Sequence, residues 1–478
     1  DDTLTAFSST GFGLGDDVLV NDTSAHNYVA WSFQMAAKFF HVSQVVKAAA
    51  ADKTVDLSAL GTVGMVAVRR ADAGGNWYVW HRSCTAGKLL YLNLTDAEAT
   101  LGHITVSGTT LTLEDGVIAD GTYIVYAWAH DTGTDGLIQC GTFTTDAGGL
   151  ASVTLGWEPQ FAIFKGADTV LGWQMLDSMR GWPATASLDK TLFANTGDAE
   201  VTTGNYGSPN ATGFSVAGLT ASKIYIYLAI RRGPMKAPTS GTQVYNAIKW
   251  TNSTEYSSLS STVGFPPDLM AVQSEGGSVY HIFIDRLRGV GKYLVLNADT
   301  WEESQTVITA LTQNGFTGTA DNYGYWAYAG YYPYIAWFFR RYPGVFDEVC
   351  DTGTGSAHTV SHNLGVVPEL MIRKERADDV GDWFVYAGDA TDHLHLNTTA
   401  ATADDDTVWN DTAPTASVFT VGTDDDINGS TDTYVTYLFA TLANVSKVFS
   451  YTGDGGNVDG AGTGQTINCG FSAGARFV

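Results

Sequence analysis

Tyr334-Ile335-Ala336-Trp337-Phe338-Phe339 decides how this chain folds. Aromatic and β-branched residues fill it, and successive side chains of a strand point to opposite faces, so Ile335, Trp337 and Phe339 share one side. The same strand recurs as Tyr28-Val29-Ala30-Trp31-Ser32-Phe33 and Tyr123-Ile124-Val125-Tyr126-Ala127-Trp128. It returns as Tyr225-Ile226-Tyr227-Leu228 and Tyr434-Val435-Thr436-Tyr437-Leu438-Phe439. One side is large and apolar in every copy, while the other often carries smaller groups such as Ala30, Val125, Ala336 and Thr436. A register slip of one residue would expose the aromatics, which fixes the pairing.

Other markers keep the same period. A Gly–aromatic or equivalent apolar step falls at Phe12, Leu111, Phe214, Phe316 and Phe419, and an Asn closes a short strand at Asn93, Asn195, Asn297 and Asn397. A Gly turn opens a buried strand at Met65-Val66-Ala67-Val68, Phe161-Ala162-Ile163-Phe164, Leu269-Met270-Ala271-Val272 and Leu370-Met371-Ile372. Aromatic strands follow, such as Trp77-Tyr78-Val79-Trp80 and Trp383-Phe384-Val385-Tyr386.

A unit of about 100 antiparallel residues is the size of one β-sandwich. The chain therefore reads as all-β, a tandem array of lectin-like or jelly-roll-like sandwiches. Its divisions are the C-terminal half of a repeat at 1–39, repeats at 40–133, 134–237, 238–344 and 345–447, and the N-terminal half of another at 448–478. Beads on a string are the expected shape. The half-repeats read as a segment of a longer protein, or as halves that combine with each other or with a neighbouring chain.

Composition narrows the partners. The 478 residues carry 50 acidic and 25 basic side chains, a formal charge of −25. That balance argues against a nucleic-acid partner, which needs a basic stripe. No run approaches the roughly 18 apolar residues of a membrane-spanning helix, so no membrane insertion is expected. Four cysteines without a CxxC spacing suggest neither a disulfide framework nor a zinc site.

Candidate chemistry is sparse. His393-Leu394-His395 places two rings on one face of a strand, and reads as a solvated loop–strand junction rather than a metal site. Asp404-Asp405-Asp406 and Asp424-Asp425-Asp426 lack the Gly and Glu spacing of a calcium loop and would hold calcium only weakly. Otherwise no cofactor, metal or catalytic residue is expected. Asp177-Ser178-Met179-Arg180-Gly181 and Asp285-Arg286-Leu287-Arg288-Gly289 read as structural turns in which Asp and Arg pair and Gly accepts a positive φ. The candidate contact surface is the aromatic loop of the third full repeat: Tyr323, Tyr325, Trp326, Tyr328, Tyr331 and Tyr332. Flat amphipathic rings suit stacking on sugar, and equally suit packing on a neighbouring domain.

The order Leu-Gly-x-x-Pro, apolar strand, aromatic strand, Asp-x-x-Arg-Gly, Leu-x-x-Asn, Gly-Phe and Tyr-Val-Ala-Trp resembles an uncharacterised repeat domain. That domain occurs in virion structural proteins of tailed bacteriophages, especially marine ones. Gly264–Asn297, Leu364–Lys374 and Ser9–Phe33 carry the likeness best, and residues 40–131 least. The resemblance implies a non-enzymatic fibre, head-fibre or decoration protein located in the virion. Its partners would be other virion proteins or copies of itself, with host surface glycan as a further contact. The rival expectations are a lectin-like adhesin and, less favoured, a polysaccharide depolymerase.

Overall fold

The computed structural model describes residues 3–22, 26–184, 189–250, 261–275, 280–318, 333–377, 381–453, 465–471 and 474–475. Four six-stranded antiparallel sheets follow one another along the chain, each accompanied by a smaller sheet. In the first full repeat the large sheet runs Phe40–Lys47, Gly121–Ala129, Val63–Arg70, Tyr78–His81, Lys88–Tyr91, Ala99–Thr100 from edge to edge. The small sheet runs Lys53–Asp56, Thr110–Leu113, Ile104–Ser107. The same order returns in the other three full repeats, except that the small sheet of the fourth keeps only His358–Ser361 and Val418–Val421. There, one-turn helices at Asp406–Trp409 and Asp425–Asn428 bring Val408, Trp409 and Ile427 into the core.

The recurring strand pairs on both sides. Tyr334–Phe339 lies between Tyr245–Trp250 and Leu269–Ser274, with Tyr334, Ala336 and Phe338 buried against the small sheet of their own repeat. Phe316 of that small sheet stacks on Phe338 with ring centroids 5.4 Å apart. Every sandwich core is therefore built from the face that carries the Tyr and the smaller groups.

The larger face is used differently from the expectation. Trp337 and Phe339 point away from their own core and pack against the fourth repeat, where Val345, Phe346, Val435 and Tyr437 meet Leu269, Ala271 and Phe283. One continuous cluster likewise joins Met65 and Ala67 of the first repeat, with Tyr126 and Trp128 packed against it, to Phe161, Ile163, Ile226 and Leu228 of the second. The repeats are thus not beads on a string. They sit as two face-to-face pairs, because a sheet apolar on both faces must be covered on both.

Two chain segments depart from the repeat. Tyr28–Phe33 is not a strand, since among the described residues no neighbouring strand offers it a ladder. Its alternation survives in the packing. Phe33 lies 5.3 Å from Phe40 and 6.1 Å from Trp128, as Phe339 lies 5.7 Å from Phe346 and 6.0 Å from Phe439. Tight turns lead into three of the units through the bridges Ala36↔Phe40, Tyr342↔Phe346 and Leu442↔Ser446. Their left-handed positions are held by Lys38, Gly344 and Asn444, of which only Gly is free of steric strain.

Candidate functional site: the locked faces between repeats

The geometry repeats between pairs as it does within repeats. Trp173 of the second repeat is buried and donates its Nε1–H to the carbonyl of Tyr91 in the first at 2.8 Å. Trp383 of the fourth does the same to Val295 of the third, also at 2.8 Å. Backbone bonds flank each anchor. Glu98 N donates to Ala167 O at 2.8 Å and Leu171 N to Thr95 O at 2.9 Å. Their counterparts are Glu302 N to Arg376 O at 3.0 Å and Gly381 N to Asp299 O at 3.3 Å. The two pairs therefore share one interface, made twice.

The Asp-x-x-Arg-Gly turns stand at these faces. In the third repeat, Asp285 accepts from the Arg288 backbone N–H at 2.7 Å and from its Nε, and Arg288 also donates to Glu302 at 3.1 Å and to the Phe283 carbonyl at 3.0 Å. Asp285 and Arg288 are both wholly buried, and Gly289 holds φ +96°. The Tyr437 hydroxyl of the fourth repeat donates to Asp285 at 2.7 Å, and Arg376 grips Glu302 at 2.8 and 2.9 Å. In the second repeat, Arg180 binds Asp177 at 2.6 Å, and Asp177 also accepts from Trp31 Nε1 at 3.2 Å. The turn is an ion pair as expected, and it also reaches across to another unit. Its equivalent in the first repeat is His81, which meets the Tyr227 carbonyl at 3.0 Å; burial pushes its imidazole down to about 3, so it stays neutral.

A second network ties the two pairs together. Arg341 donates to both carboxylate oxygens of Glu158 at 2.9 and 2.6 Å and to Asp347 at 2.8 Å. Arg232 reaches Asp347 at 3.1 Å, so the second, third and fourth repeats meet at one buried group of charges. Glu348 beside it is wholly buried, and among the described residues neither of its carboxylate oxygens finds a hydrogen-bond partner. Burial, then the nearby Asp285, hold its carboxyl well above the usual range.

The residues singled out from sequence fare unevenly. Tyr323, Tyr325, Trp326, Tyr328, Tyr331 and Tyr332 lie outside the described residues. Asp405 and Asp424 serve as N-caps, accepting from Thr407 N and Asp426 N at 2.9 Å each. His393 and His395 share a face as their spacing requires, with rings 5.0 Å apart, and His393 is buried against Phe384 rather than solvated. Among the described residues no group of three His, Cys, Asp or Glu side chains could hold a metal ion, and no helix is long and apolar enough to cross a membrane. All four cysteines are free, and burial pushes the Cys84 thiol up to about 12.

Sequence reasoning missed the inter-repeat anchors. Trp173 and Trp383 are visible in it as a recurring aromatic, yet nothing local distinguishes a ring facing its own core from one facing a neighbour. Arg341 and Glu158 are far apart in sequence and carry no motif.

Fold and faces together define a class, tandem β-sandwich repeats locked to one another in pairs. The chain belongs to the family described as Domain of unknown function (DUF7483), whose pattern matches residues 1–234, 240–345 and 344–474. No curated protein matches the chain.

Proposed function

We propose that this chain is a non-enzymatic structural part of a tailed-phage virion, a fibre or decoration component that meets other virion proteins, copies of itself and the host surface. One observation carries the reading: the same repeat-to-repeat interface is made twice, with the same tryptophan anchor and the same flanking backbone bonds. Such a chain is suited to holding a shape under load, since buried ion pairs such as Arg341–Glu158 and Arg376–Glu302 join its repeats. The order of motifs that resembles phage repeat domains supports a place in the virion. A charge of −25 discourages sticking to nucleic acid.

Antibodies against the chain, gold-labelled on purified particles, test this. Label on the particle surface is the expected result, and particles that contain none of the chain refute it. The lectin-like reading rests on the aromatic run Tyr323–Tyr332 in the sequence. On a glycan array, binding that disappears with Trp326→Ala would favour it, and an array without signal removes it.

A further inference from the structure

The second and third repeats line a partly open cavity of about 80 Å³ beside the charged junction. Four guanidinium groups line it, those of Arg232, Arg286, Arg340 and Arg341, against the two carboxylates of Glu158 and Asp268. Asp347 binds Arg232 and Arg341, and Glu348, 4.0 Å from Arg341, is held toward its neutral form by burial, so one cation is left in excess. In a chain of charge −25, that is a local inversion of sign.

The excess can be located. Arg341 is fully engaged with Glu158 and Asp347. Arg286 donates to the neutral carbonyls of Leu311 and Pro267, with Asp268 3.6 Å away. Arg340 stacks on the Tyr342 ring at 5.0 Å and forms no ion pair among the described residues. Arg232 Nε is buried and makes no hydrogen bond among the described residues, and its ion pair with Glu158 is long at 3.4 Å. A buried donor without an acceptor costs about 1–3 kcal/mol.

We infer that this cavity is a binding site for one small oxyanion of the sulfate or phosphate class, held by Arg232 and Arg340 and joining the second repeat to the third. An oxyanion offers acceptors only, which matches donors in surplus. The space exceeds the roughly 10–15 Å³ needed for one water, yet falls far below the roughly 300 Å³ of pockets for larger ligands. A free anion fits this volume. The site is independent of where the chain resides.

Calorimetry of the whole chain tests it, with sodium sulfate raised from zero to about 10 mM at constant ionic strength set by sodium chloride. A saturable rise in melting temperature is expected. General salting-out stabilisation needs far more sulfate and does not saturate. Arg340→Gln should raise the sulfate dissociation constant about tenfold or more. Ser178→Asp, which sets a carboxylate in the cavity wall, should raise the melting temperature without sulfate and abolish the response. The inference is overturned if the wild type shows no saturable shift. It is equally overturned if either variant responds as the wild type does, since the anion is then an adventitious ion only. Inorganic phosphate in place of sulfate should give the same pattern.

Discussion

Replacing Trp383 by Ala should uncouple the third repeat from the fourth. The indole is wholly buried, lies edge-on to Phe283 at 5.9 Å and donates to the Val295 carbonyl. Truncating a buried Trp costs about 3–5 kcal/mol, cavity included. For a cooperative unit of about 200 residues each kcal/mol moves the melting temperature by roughly 2–4 °C, so the pair should melt about 6–20 °C lower. Trp383→Phe keeps most of the apolar contact but loses the N–H, and should cost only about 1 kcal/mol. Hydrogen exchange then reads the partition. Leu269–Ser274 of the third repeat and Leu370–Glu375 of the fourth should lose protection together, while Val63–Arg70 of the first keeps it. Trp409→Ala is the control, because that ring is buried in the fourth repeat's own core. It should expose the fourth repeat alone. If Trp383→Ala left Leu269–Ser274 as protected as in the wild type, the paired-sheet account would fail.

Asp285→Asn leaves Arg288 buried with half its partner set, and urea unfolding should show a loss of about 3–5 kcal/mol. Glu348 faces Asp285, Asp268, Asp347 and Arg341, and burial raises its carboxyl above the ordinary range. Its contribution is therefore complete below the unfolded Glu value and declines as pH rises toward the folded one, by at most about 1.4 kcal/mol per pH unit. Glu348→Gln should flatten that slope and be the more stable form at pH 8; parallel stability–pH curves would refute it. Lys38 holds φ +56° in the turn before the first full repeat, so Lys38→Gly should gain up to about 1 kcal/mol by thermal melting.

The all-β fold was legible because its signals are local. The period-two alternation of Tyr334–Phe339 and its copies follows from strand geometry alone, as do the Gly turns at Gly264 and Gly365 with φ +96° and +76°. The Asp285–Arg288 pair was legible for the same reason, since three residues span one tight turn. That Tyr28–Phe33 forms no strand was not legible, because a ladder needs a neighbour and the local pattern does not say whether one is there.

By itself the sequence determined that the fold is all-β and repeated along the chain, and which residues alternate. These are decided within a few residues by backbone sterics and side-chain periodicity. Only the tertiary structure decided that Ala336 faces inward and Trp337 outward, that Trp173 and Trp383 clasp a neighbour, and that Glu158 meets Arg341. A side chain's hydrophobicity requires that it be covered but does not say by which repeat. Charges far apart along the chain become partners only when folded sheets close over them and exclude water.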